Sequence, residues 1–115
     1  MWDRVSGSLG TYMDLLAARQ KLVASNIANA ATPGYKTKDF DFQFEFQSQM
    51  AAGVSSSPKA EEVRGLASHN DGNNVSLDRE SRMLAENALR FSVASQFWRQ
   101  KLRVLRTAVQ DGKNG

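Results

Sequence analysis

The sequence predicts an all-α fold in which long N- and C-terminal helices pack antiparallel, coiled-coil-like, with a short irregular or β-hairpin insert between them. Three observations predict it. Apolar residues recur at helical spacing over residues 5–30, and a seven-residue apolar repeat runs through residues 76–110. The stretch between them is rich in turn formers and thin in apolar side chains. The 115 residues suit one domain. Within it, 1–35 reads as the first helix and its terminal turn, 36–75 as an extended or short-helix segment with a flexible middle loop, and 76–115 as the heptad helix and tail.

In the first element, Val5, Leu9, Tyr12, Leu16, Val23 and Ala30 follow at steps of three, four or seven. Leu15, Leu22 and Ile27 widen that stripe, as a buried helix face requires. Pro33 disfavours a helical conformation at Thr32. Thr32-Pro33-Gly34-Tyr35 then suits a turn with proline second and glycine third. Asn26 and Asn29, three apart on one face, are poor interior residues. Near a helix end, however, their amides can satisfy free carbonyls.

Residues 36–52 carry two periods at once. Phe40, Phe42, Phe44 and Phe46 alternate with polar residues, as in a strand, yet Phe42, Phe46 and Met50 also fall four apart. The expected outcome is an extended lead-in to about Asp41 followed by a short helix. Four aromatics within seven residues exceed what two helices can cover, so these phenylalanines are candidates for core and for subunit interface alike.

From Gly53 to Val75 the serines, Pro58 and the His69–Asn74 run read as linker and turn, with Asp71-Gly72 the sharpest signal. Such a stretch is expected to form a small hairpin or to fold only against neighbours.

The last element has Leu77, Leu84, Phe91, Trp98 and Leu105 at intervals of seven, with Ser81, Ala88, Ser95, Leu102 and Val109 at the companion positions. Ser76 suits the N-cap, Asp78 and Glu80 suit the first turn, and Gly112 marks the expected end. A helix over 76–110 spans about 52 Å, longer than so small a chain can cover. The expected helix-pair core is Leu16, Val23, Leu84, Phe91, Trp98, Leu102 and Leu105. Val93, Phe97 and Val104 form a second apolar line expected to meet another subunit.

Composition narrows the function. The net charge is +3, too mild by itself to mark a nucleic-acid or membrane protein. No cysteine and one histidine, His69, remove disulfides, thiolate sites and His-pair chemistry. His69 lies in turn chemistry with no oriented base beside it, and Glu61, Glu62 and Asp71 are too scattered for a calcium loop. No catalytic residue, cofactor or metal is expected. No apolar run reaches the roughly 18 residues of a membrane span, and no cleavable signal is read at the N-terminus. Residues 76–110 hold seven bases against three acids. Their basic end suits a solvated face, acidic neighbours in an assembly or, least well, phosphate contact.

The segment Asn26-Ile27-Ala28-Asn29 followed by Thr32-Pro33-Gly34-Tyr35-Lys36 resembles the N-terminal signature of flagellar axial proteins of the rod and hook class. Asp71–Glu80 with Glu86–Phe91 resembles the C-terminal signature of one branch, the FlgB-type proximal rod proteins, and Asp39–Phe42 matches that branch after its Tyr-Lys. The resemblance covers roughly residues 1–50 and 70–112. Ala31 stands where an acid is frequent, Ser76 where Asp is usual, and the middle is shorter than in the family. The family motif residues are thus Asn26, Asn29, Thr32, Pro33, Gly34 and Tyr35.

The resemblance implies a structural subunit of the bacterial flagellar basal body, in the rod spanning the periplasm. Such a subunit assembles helically, transmits torque, lines the export channel and is exported by the type III route. The implied partners are other copies of itself, other flagellar rod proteins, the basal-body junction protein and the flagellar export gate. No nucleic acid and no direct lipid insertion are implied. A helical coiled-coil adaptor binding one partner protein is the alternative reading.

Overall fold

The computed structural model describes residues 2–114; Met1 and Gly115, the outer bounds of the first and last predicted segments, lie outside the described residues. Helix α1 spans Trp2–Ala28, strand β1 Lys38–Asp39, helix α2 Phe42–Ala52, strand β2 Glu61–Glu62 and helix α3 Leu77–Asn114. Helices make up 66% of the chain. The molecule is a rod, 71 × 27 × 17 Å.

The two long helices run antiparallel. Asn87 of α3 meets Leu16 and Gln20 of α1, and further along Val5 and Leu9 lie near Phe97 and Lys101. β1 and β2 pair antiparallel, Lys38 opposite Glu62 and Asp39 opposite Glu61. α2 begins where the sequence places it. Asp41 is its N-cap, accepting the Phe44 N–H, and Gly53 closes it in a left-handed conformation (φ 71°). Ser76 caps α3 through the Arg79 N–H, as expected. Gly112 does not end α3, which continues to Asn114; one glycine lowers helix propensity without breaking the hydrogen-bond ladder.

The interior is small and unusually polar. Leu15, Leu16, Val23, Phe40, Val75 and Ala94 are its buried apolar members. Asn26, Thr37, Gln49, Asn73, Asn74, Glu80 and Asn87 are buried with them.

Two sequence expectations are corrected here. Leu84, Phe91, Trp98, Leu102 and Leu105 do not form the helix-pair core within this chain: all are exposed, Trp98 at 38% and Leu105 at 50%. The residues that α3 turns inward are Glu80, Asn87 and Ala94, buried, with Arg79, Met83, Arg90, Ser95 and Lys101 half-buried. That seam lies about 60° around the helix from the apolar heptad stripe, at 100° per residue. The physical reason is that polar bonds, which are directional, set the rotation of α3. Arg79 reaches Asp39, and Asn87 reaches the Leu16 carbonyl and the Gln20 side chain, whereas the apolar stripe has no directional preference. Of the predicted pair core, Leu16 and Val23 are buried.

The phenylalanine ladder is the second correction. Phe40, offered as an interface candidate, is buried and stacks on Phe42 at 6.1 Å. Phe42 and Phe46 meet the Tyr12 ring edge-on at 5.3 and 5.9 Å. The Arg19 guanidinium lies over both Phe40 and Phe42, and that of Arg90 over Phe42. Short α2 lies along α1, so one helix face takes up most of the aromatics. Phe44 alone of the four stays widely exposed.

Candidate functional site

Two features stand out: a polar clasp that joins the ends of the long helices, and an apolar face on α3 that the chain leaves uncovered.

The clasp begins where α1 ends. Asn29 Nδ2 donates to the Ser25 carbonyl at 2.8 Å, closing the last turn, and its Oδ1 accepts from the Thr32 hydroxyl at 3.0 Å. The Tyr35 N–H reaches the Thr32 carbonyl at 3.2 Å with Gly34 at φ 76°, so Thr32–Tyr35 is the turn the sequence announces. Tyr35 then folds back, its hydroxyl donating to Asn26 Oδ1 at 2.9 Å. The same oxygen accepts the Lys38 N–H at 3.1 Å, while Asn26 Nδ2 donates to the Lys38 carbonyl at 2.8 Å. One buried amide thus mimics a strand neighbour for Lys38, which only a side chain holding both donor and acceptor can do.

The second half comes from the turn before α3. Asn73, fully buried, donates from Nδ2 to the carbonyls of Asn29 and Thr32, both at 2.8 Å, and accepts the Val75 N–H at Oδ1. Asn74 Oδ1 accepts the Thr37 N–H at 2.6 Å. The Asn74 carbonyl accepts the Thr37 hydroxyl, and its N–H reaches the Tyr35 carbonyl. The Gly34 N–H donates to the Asp71 carbonyl at 2.9 Å. Gly72 sits at φ 83° with the space for its Cβ 3.5 Å from Gly34 Cα, so two glycines let the two turns touch. Lys36 Nζ crosses the same gap to the Gly72 carbonyl.

Beside this clasp lies an ionic bridge across three elements. Arg19 of α1 grips Asp39 of β1 with two bonds, 3.2 and 3.1 Å. Arg79 of α3 reaches the same carboxylate at 2.9 Å and buried Glu80 at 2.7 Å. All four side chains are at least four-fifths buried, so the bridge fixes geometry more than it adds net stability.

The structure therefore brings together Asn26, Asn29, Thr32, Gly34 and Tyr35 of the motif; Pro33 is an exposed member of the turn. Thr37, Asn73, Asn74, Arg19, Asp39, Arg79, Glu80 and Asn87 are further members of these polar networks; Thr37 and Arg19 went unnamed in the sequence reasoning, and the others entered it only within the family signatures or, for Glu80, as a first-turn acid. The one available signal was the excess of asparagines in an otherwise turn-like run, Asn70–Asn74.

The second feature is the exposed stripe of α3: Leu77, Leu84, Phe91, Trp98, Leu102, Leu105 and Val109. Val93, Phe97 and Val104 lie on another side, exposed, with Val93 and Phe97 flanking Leu9 and Tyr12 of α1. Beyond Lys101 every residue of α3 to Lys113 is exposed. Among the described residues no group of three or more His, Cys, Asp or Glu side chains is arranged to hold a metal ion. No described helix is long and apolar enough to cross a membrane.

The sequence pattern of the family described as "Flagella basal body rod protein" matches residues 13–36, the second half of α1 and the motif turn. The chain is similar to the flagellar basal body rod protein FlgB of Salmonella typhimurium, 30% identical over 97% of this chain and 99% of that protein. It is 32% identical to FlgB of Cereibacter sphaeroides, over 89% of this chain and 93% of the relative. It is 29% identical to FlgB of Escherichia coli, over 87% and 88%. With its motif turn built into the clasp and relatives matched along nearly their whole length, the chain belongs to the flagellar basal-body rod protein family, in its FlgB branch, and is a structural subunit of the basal-body rod.

Proposed function

We propose that this subunit enters an open helical assembly through the uncovered face of α3, with the clasp holding the helix pair at a fixed angle so that load passes from copy to copy. The observation that carries the reading is the exposed apolar stripe from Leu77 to Val109, which is too long and too regular to be left to water. Contacts that differ on the two partners build open filaments rather than closed rings. The neighbours are further copies, other rod proteins and, at the base, the junction protein and the export gate. In the rod spanning the periplasm, the assembly transmits torque and lines the export channel.

The test is a clean deletion of this chain in its own cell, with purified basal bodies imaged by electron microscopy. Membrane rings without rod or hook are expected. Complete rods and filaments would overturn the assignment and leave the single-partner adaptor as the better reading.

A further inference from the structure

We infer that the C-terminal third of α3 receives a helix of a different protein that carries carboxylates along one flank. The inference rests on the reading of α3 as an assembly face. Between Glu86 and Asp111 the chain has five bases and no acid. Four cations of the C-terminal third are not scattered around α3. Arg99, Arg103, Arg106 and Lys113 follow at steps of four, three and seven, which places them on one line about 100° from the apolar stripe at 100° per residue. All four are exposed, and among the described residues no carboxylate pairs with Arg99, Arg103 or Arg106. Trp98, Leu102, Leu105 and Val109 form the adjoining stripe, also exposed. On the stripe's other side lies the line of Ala94 and Lys101, facing α1. A guest laid on the stripe therefore meets cations along one edge.

The width of the stripe says what the guest is. Two positions in seven form the narrow seam of a helix pair, whereas a lipid surface calls for a broad apolar face. Trp98 lies in the seam and not among the arginines, which disfavours stacking on nucleic-acid bases. A second copy laid parallel and in register would set basic stretch against basic stretch. Laid antiparallel, it would offer Leu77 and Leu84, whose flank at the angle of the arginine line holds Ser81, Ala85 and Ala88 and so no carboxylate. A guest bearing Glu or Asp at the flanking positions meets neither difficulty.

Two measurements test this. The first uses the full chain and two synthetic three-heptad helical peptides with leucine seams, one flanked by Glu and one by Lys. The Glu peptide is expected to bind about tenfold tighter, as three exposed ion pairs of ordinary strength provide. The preference should vanish in the R99Q/R103Q/R106Q variant, whose circular dichroism should match that of the parent. Equal binding by both peptides, or by neither, overturns the inference.

The second places a photocrosslinking residue at Leu102 and identifies the crosslinked peptide from isolated basal bodies by mass spectrometry. A carboxylate-rich helical segment of another protein is expected. A crosslink to α3 of a second copy would sink the acidic guest but leave the assembly reading standing. Crosslinks to lipid alone, or none, would remove both.

Discussion

The side-chain amide of Asn26 pairs with both backbone groups of Lys38, donating to its carbonyl at 2.8 Å and accepting its N–H at 3.1 Å. A helix residue thereby acts as the edge of a sheet. This ties the end of α1 to the start of β1 through directional polar bonds. The buried surroundings make the bond costly to break, because water cannot replace the lost partner.

Asn26→Ala is therefore expected to destabilise the chain by about 2–3 kcal/mol, leaving the Lys38 backbone and the Tyr35 hydroxyl short of partners. Asn26→Asp should be no milder, since it removes the donor and buries a carboxylate. Urea unfolding followed by circular dichroism reads the change as a lowered midpoint. An unchanged midpoint for either variant would remove Asn26 from the clasp.

Asp39 holds Arg19 and Arg79 together, and so joins α1 to α3. Asp39→Ala should cost roughly 2–4 kcal/mol, because two mostly buried guanidiniums lose their shared carboxylate. The double variant with Arg79→Ala should lose less than the two single losses combined. Strict additivity in a double-mutant cycle would show that the bridge is not a unit.

Leu16→Ala and Trp98→Ala should separate core from interface. Leu16 is fully buried, so its truncation should cost about 2–5 kcal/mol in the isolated chain. The heptad pattern alone expects a core-sized loss at Trp98 as well. At 38% exposed, however, Trp98 should cost under about 1 kcal/mol when truncated. Trp98→Ala should instead fail to restore rods in a deletion strain. A large loss of monomer stability at Trp98 would return it to the core.

Amides of α3 beyond Lys101 should exchange with deuterium much faster than those between Glu80 and Ala94. The distal segment has no buried side chain, and helices without a tertiary partner are marginal in water. Hydrogen exchange with mass spectrometry resolves the two regions. Assembly should slow the distal segment, and equal protection in the free chain would contradict the uncovered face.

Much of this architecture is written in local sequence. The apolar spacing of α1, the Pro33-Gly34 turn, a short helix starting after about Asp41, Ser76 as a cap and the heptad of α3 depend on nearest neighbours and period, so they are legible without tertiary information. The motif turn was legible too, as a pattern of residues, and so was the need for something to cover α3. What only the tertiary structure decided is which face of α3 turns inward. An apolar stripe states that a surface must be buried but not against what. The answer came from Asn73, Asn87 and Arg79, each meeting its partner forty or more residues away. Directional bonds at that sequence separation leave no periodic trace, so the stripe that looked like the molecule's own core became the surface it offers to others.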